Sequence, residues 1–132
     1  MTNTAEQTKT NKKILIIEDE GEMCFVLNLL LNQDNTSLDH VKNLLAADEY
    51  LKKEQPNIVI LDNKLPDGYG VDYISHLKRK YPSLKIIMIT GYDASVKDVA
   101  MENGADLFLE KPFTKQQFLA AIKSLLNLSD DW

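Results

Sequence analysis

The sequence predicts an α/β protein, a parallel sheet covered by helices on both faces to give a three-layer sandwich. Three observations predict it. From Lys12 onward, strand-like and helix-like patterns alternate five times. The runs at 14–17 (ILII), 58–61 (IVIL) and 86–89 (IIMI) are apolar at every position, as strands buried on both faces must be. Finally, the strand-like runs end in polar residues: Ile17 leads into Glu18-Asp19, Leu61 into Asp62, Ile89 into Thr90, and Leu109 through Glu110 into Lys111-Pro112.

The elements follow in order. Residues 1–11 carry almost no apolar side chains and are expected to form a mobile tail. Strand β1 contains 14–17. Helix α1 is predicted over Glu22–Leu31, with Met23, Val26, Leu27 and Leu30 on one stripe. Strand β2, near Ser37–Val41, is polar and weakly patterned, as an edge strand is. Helix α2 is predicted over Leu44–Lys53 with Asn43 as its cap. Strand β3 contains 58–61. Helix α3, Val71–Lys80, turns Val71, Ile74 and Leu77 inward and stops before Pro82. Strand β4 contains 86–89. Helix α4, Ala94–Asn103, is capped by Asp93 and ended by Gly104. Strand β5, near Asp106–Leu109, is short and suits the other edge. Helix α5 opens on a capping box, Thr114-x-x-Gln117, and buries Phe118, Ile122 and Leu125. Residues 129–132 form a short tail.

The bulk properties set limits. A chain of 132 residues suits one domain. A formal net charge of −5 leaves no basic surplus for phosphate backbones and argues against direct nucleic-acid binding. Cys24 is the sole cysteine, so no internal disulfide forms, and a reducing compartment is expected. No apolar run approaches the ~20 residues of a membrane span, and the polar start is no secretion signal. These features together read as a cytoplasmic protein.

All strand carboxyl ends of a parallel sheet share one edge, where open α/β folds bind ligands. Glu18, Asp19, Asp62, Thr90 and Lys111 are therefore expected to meet. A carboxylate there can attack phosphorus. Paired acids suit Mg²⁺, and an ammonium and a hydroxyl suit phosphoryl oxygens. Taken singly, each residue has an ordinary reading: helix-start acids at Glu18 and Asp19, a turn-starting Asp62, a loop Thr90, a solvated Lys111. Their joint occurrence reverses that weighting. His40 and His76 read as solvent-facing or partly packed residues away from this edge, Cys24 as an inert thiol, and Lys78-Arg79-Lys80 as a solvated helix end.

With the pieces ILIIEDE, IVILDNKLPDGYG, IIMITGY and GADLFLEKPF in this order, residues 12–128 resemble the receiver domain of two-component response regulators, in the style of the single-domain chemotaxis regulators. The resemblance implies a flavodoxin-like (βα)5 fold with strand order 2-1-3-4-5. It implies that a sensor histidine kinase phosphorylates Asp62 and that Asp19 holds Mg²⁺ directly. Glu18 would act through water, and the backbone carbonyl of Lys64 would be the third protein ligand. Thr90 and Phe108 are the implied switch residues, and the α4-β5-α5 face the implied output surface. The Lys111-Pro112 bond is cis in such proteins. Phe108 stands where tyrosine is common, so coupling through it would run by packing alone. The resemblance also implies that Lys64 and Tyr92 occupy positions that, in such proteins, influence phosphoryl lifetime.

The implied activity is a switch for a downstream effector protein, as a monomer or a phosphorylation-dependent dimer. Catalysis would be limited to Mg²⁺-dependent self-phosphorylation and autodephosphorylation. Three alternatives stand beside it. A phosphorelay intermediate would pass the group to a histidine phosphotransfer protein. A phosphatase of the haloacid-dehalogenase type needs a second acid two residues after the nucleophile, where this chain has Lys64. A phosphorylation-independent module would normally lack one of the site residues.

Overall fold

The computed structural model describes residues 12–21, 36–91 and 93–126. The predicted α1, Cys24, Tyr92, Trp132 and both predicted tails lie outside them. Five parallel strands form one sheet: β1 (Lys12–Ile17), β2 (Thr36–Val41), β3 (Ile58–Asp62), β4 (Lys85–Thr90) and β5 (Leu107–Glu110). Their spatial order is β2-β1-β3-β4-β5, which is the predicted 2-1-3-4-5 order of a flavodoxin-like sheet, with the polar β2 and the short β5 at its edges.

Successive side chains of a strand point to opposite faces, and the core divides accordingly. On one face Leu15, Ile17, Val59, Leu61, Ile86 and Met88 pack with Ala47 and Leu51 of α2 (Leu44–Leu51), with Ile74 and Leu77 of α3 (Gly70–Lys80), and with Ala100 of α4 (Ala94–Asn103). On the other, Ile14, Ile16, Ile58, Ile60, Ile87 and Ile89 pack with Phe118, Ala121 and Ile122 of α5 (Lys115–Leu126). The unbroken apolar runs are thus two half-cores interleaved residue by residue. Leu125, expected inside, is half-buried at the margin of the second cluster.

Local chemistry sets the helix ends. Asn43 Oδ1 accepts the Ala46 amide at 2.7 Å, and Asp93 Oδ1 accepts those of Ser95 and Val96 at 3.1 and 3.4 Å. Gly104 ends α4 at φ 114°, a left-handed conformation that glycine adopts without a Cβ clash. The capping box of α5 is reciprocal: Gln117 N–H donates to Thr114 Oγ1 at 3.0 Å, and Thr114 N–H to Gln117 Oε1 at 2.8 Å. The start of α2 has a second clamp from outside the helix. Asp67 accepts the amides of Leu44 and Leu45 at 2.9 and 3.0 Å, and these two bonds hold its carboxyl below the usual carboxylate range. That contact ties the segment after β3 to its neighbour helix. The same segment folds into a ribbon absent from the sequence reading, Lys64–Leu65 antiparallel to Gly68–Tyr69.

Candidate functional site

Register brings the polar strand ends together. Ile17 is opposite Leu61, Asp62 opposite Ile89, and Thr90 opposite Glu110. The ladder continues past the strands, with Glu18 N–H donating to Val41 O at 3.1 Å and Lys111 N–H to Thr90 O at 2.9 Å. Glu18, Asp62, Thr90 and Lys111 consequently line one edge, although up to 93 residues separate them in sequence.

Asp62 is almost buried, at 8% exposed. Its Oδ1 accepts the Asn63 amide at 2.8 Å, and its Oδ2 lies 3.3 Å from Lys111 Nζ. Carboxylate oxygens of Glu18, Asp19, Glu20 and Asp62 all lie within 4.8 Å of one another. Glu18 is 2% exposed, whereas Asp19 and Glu20 face solvent. A group of oxygen-only anionic donors, two of them open to water, fits a hard cation such as Mg²⁺, which keeps several waters and takes one or two carboxylates. Glu20 was not singled out from sequence. The signal was the third acid of the Glu18-Asp19-Glu20 run, which reads as one more solvated charge until the loop geometry is known.

An open cleft of about 430 Å³ lies over Asp62 and is lined by Asp19, Glu20, Thr90 and Lys111 as well. Lys64 and Asp93 also line it. The carboxyl of Asp93 is held below its usual range, first by the Ser95 hydroxyl, then by the Val96 amide, with a smaller contribution from the Lys64 ammonium. A Cβ added to Gly91 would meet nothing, so the approach beside Thr90 is open. The opposite holds at Gly70, where a Cβ would overlap the Asp62 carbonyl oxygen. Two bonds bring this helix start so close: Gly70 N–H donates to Asn63 O at 2.7 Å, and Val71 N–H to Asn63 Oδ1 at 3.0 Å. The structure thus gives buried Asn63 the capping role for α3.

Phe108 lies opposite Met88 and packs, half-buried, against the core on the α2-α3-α4 face. The Lys111-Pro112 peptide bond is cis. His76 is half-exposed, 3.7 Å from Asp48, and away from the acidic edge. His40 departs from the reading above. Its Nε2 is 2.8 Å from the Glu18 carbonyl oxygen, which places it against the site. A larger hollow of about 570 Å³ at the other end of the strands, edged by Lys12, Lys80 and Lys85, gathers no comparable set of acids among the described residues. No described helix is long and apolar enough to cross a membrane.

Comparison with known proteins gives a consistent result. The response regulator receiver domain family matches residues 14–123. The phosphate regulon transcriptional regulatory protein PhoB of Escherichia coli K12 is 29% identical over 119 residues, covering 88% of this chain and 52% of PhoB, so the chain spans about half the length of that relative. Sporulation initiation phosphotransferase F of Bacillus subtilis 168 is 29% identical over 122 residues, covering 92% of this chain and 98% of that protein. Among solved structures, the beryllofluoride-activated NtrC4 receiver domain dimer is 32% identical, with a TM-score of 0.82, covering 87% of this chain and 96% of that one.

Proposed function

We propose, from the premise that this chain belongs to the response regulator receiver domain family, that Asp62 accepts a phosphoryl group from a sensor histidine kinase and so switches the binding of a downstream effector. The observation that carries the reading is the convergence on one edge of a nearly buried Asp62, Lys111 at 3.3 Å and three further acids. Residues 12–128 are the proposed receiver, acting in the cytoplasm.

In the proposed reaction an Asp62 carboxylate oxygen attacks the phosphorus of a phosphohistidine. A P–O bond forms, the P–N bond breaks, and the imidazole leaves with the electron pair. Lys111 exchanges part of its pairing with Asp62 for a phosphoryl oxygen, and the Thr90 hydroxyl donates to another. Asp19 would hold Mg²⁺ directly, Glu18 through water, with Asp62 and the Lys64 carbonyl completing the protein's share. When bound, Mg²⁺ supplies charge neutralisation between two anionic reactants. Movement of Thr90 would open room for Phe108 to repack, altering the α4-β5-α5 face. Val99 and Met101 of α4 are exposed, at 42% and 41%.

Intact-mass spectrometry after incubation with Mg²⁺ and acetyl phosphate is the direct test. One phosphoryl adduct is expected on the wild type and none on Asp62→Asn. An adduct of equal yield on the variant would place the acceptor elsewhere, and no adduct even with a kinase would end the phosphoacceptor reading. The decay of that adduct tests Lys64, which lines the cleft. Lys64→Ala is expected to open the approach to water and speed phosphoryl loss about threefold, or ~0.65 kcal/mol in the barrier, with unchanged thermal unfolding. Identical decay would remove Lys64 from the lifetime-setting groups. A relay reading draws on the near full-length match to sporulation initiation phosphotransferase F, a protein named as a phosphotransferase. Loss of the adduct to a histidine phosphotransfer protein, faster than to water, would favour it.

A further inference from the structure

We propose that His40, on edge strand β2, is a positioning residue for the acidic site, holding the Glu18 carboxylate in the orientation a divalent cation needs. The inference rests on the reading of that edge as a cation site. Parallel pairing sets Ile16 opposite His40, so the histidine lies beside the point where β1 runs out into its acids. His40 Nε2 donates to the Glu18 carbonyl oxygen at 2.8 Å, and the same nitrogen is 3.3 Å from Glu18 Oε1. The other carboxylate oxygen, Oε2, accepts the Glu20 amide at 2.7 Å. The Glu18 amide in turn donates to Val41 O at 3.1 Å. Backbone and carboxylate of Glu18 are thus fixed from β2 and from the acidic loop together, in a place only 2% exposed.

Side-chain length gives this arrangement its purpose. Glutamate has one more rotatable bond than aspartate, and ordering it costs up to about 2 kcal/mol of rotamer freedom. A glutamate at the first acidic position therefore gains from contacts that order it before the cation arrives. Carboxylates at metal sites are commonly held by such outer hydrogen bonds, and losing one costs roughly 10–100-fold in metal affinity. The neutral Nε2–H form and the imidazolium both donate to a carbonyl, so the contact does not depend on the charge of the ring.

Isothermal titration of the full chain with Mg²⁺ tests the role. His40→Leu is expected to weaken Mg²⁺ binding about tenfold. His40→Gln, which keeps an N–H donor, is expected to restore affinity to within about threefold of wild type, a recovery that general packing at position 40 would not produce. In a Glu18→Asp background, where the shorter side chain no longer reaches the histidine and only the bond to the backbone carbonyl stays, His40→Leu is expected to cost clearly less than in the Glu18 background. Thermal unfolding without metal checks that each variant folds, and His40→Val replaces His40→Leu if leucine disturbs the strand. Equal Mg²⁺ affinity in wild type and His40→Leu would overturn the proposal while leaving the cation site intact. So would an equal loss in the Glu18 and Glu18→Asp backgrounds. A wild-type chain that binds no Mg²⁺ would remove the cation site and this role with it.

Discussion

Replacing Gly70 by alanine is expected to destabilise the fold by about 3 kcal/mol and to lower the midpoint of thermal unfolding by about 10 °C. The cause is space, not backbone freedom. An added Cβ would overlap the carbonyl oxygen of Asp62 and stand 2.9 Å from Leu61 Cγ. Backbone atoms cannot rotate aside as the end of a side chain can, so either the end of β3 or the first turn of α3 must move. Both carry the site. Moving the helix start strains the bonds from Gly70 and Val71 to Asn63, and moving the strand end displaces Asp62 from Lys111. Phosphorylation of the folded variant is accordingly expected to fall as well. Gly91→Ala is the contrast, because its Cβ meets open space, and its effect should stay within about 0.5 kcal/mol. Thermal and denaturant unfolding of the two variants decide the matter. Equal midpoints for Gly70→Ala and wild type would show that helix and strand separate there at no cost.

What the sequence made legible, and what it hid, follows from the range of each signal. Strands β1, β3 and β4 were legible because burial on both faces leaves no polar position, and a run such as Ile58–Leu61 says so locally. The starts of α2, α4 and α5 were legible because Asn43, Asp93 and Thr114-x-x-Gln117 act within three residues of themselves. Asp62, Thr90 and Lys111 were legible as a set because a parallel sheet collects its strand ends. The ribbon formed by Lys64–Leu65 and Gly68–Tyr69 was hidden, since two-residue strands have no periodicity to read. Asp67 was hidden because its partners, the α2 amides, belong to an element earlier in the chain, and Gly70 because the Asp62 carbonyl is met only when the ribbon folds the loop back on the strand end. His40 was misjudged from a polar edge strand alone. Yet β1 and β2 end on the same edge, and their pairing puts a residue near the end of β2 beside Glu18.

Magnesium is expected to stabilise the folded chain, and a chelator to reverse the effect, because folding crowds acids that the unfolded chain keeps apart. Oxygens of four carboxylates lie within 4.8 Å, two of those groups nearly out of water, and like charges so placed oppose the compact state. Lys111 offsets part of this at Asp62. A cation that binds only the assembled site adds stability by mass action, ~2.7 kcal/mol at one hundred times its dissociation constant, or about 10 °C in the unfolding midpoint. General ionic screening would also help, so the discriminating variant is Asp19→Asn. Removing one acid from the crowd is expected to raise the metal-free midpoint, and removing a proposed direct ligand to suppress most of the Mg²⁺ increment. A surface acid far from the cluster would change neither. If Mg²⁺ raises wild type and Asp19→Asn equally, the ion acts as a screening salt and Asp19 is not its ligand. If the metal-free midpoint of Asp19→Asn falls, the local contacts of the acidic loop outweigh its repulsion. Opposite shifts within one substitution, up without metal and down in its presence, are the signature of a site whose charges are arranged for a cation rather than for the fold.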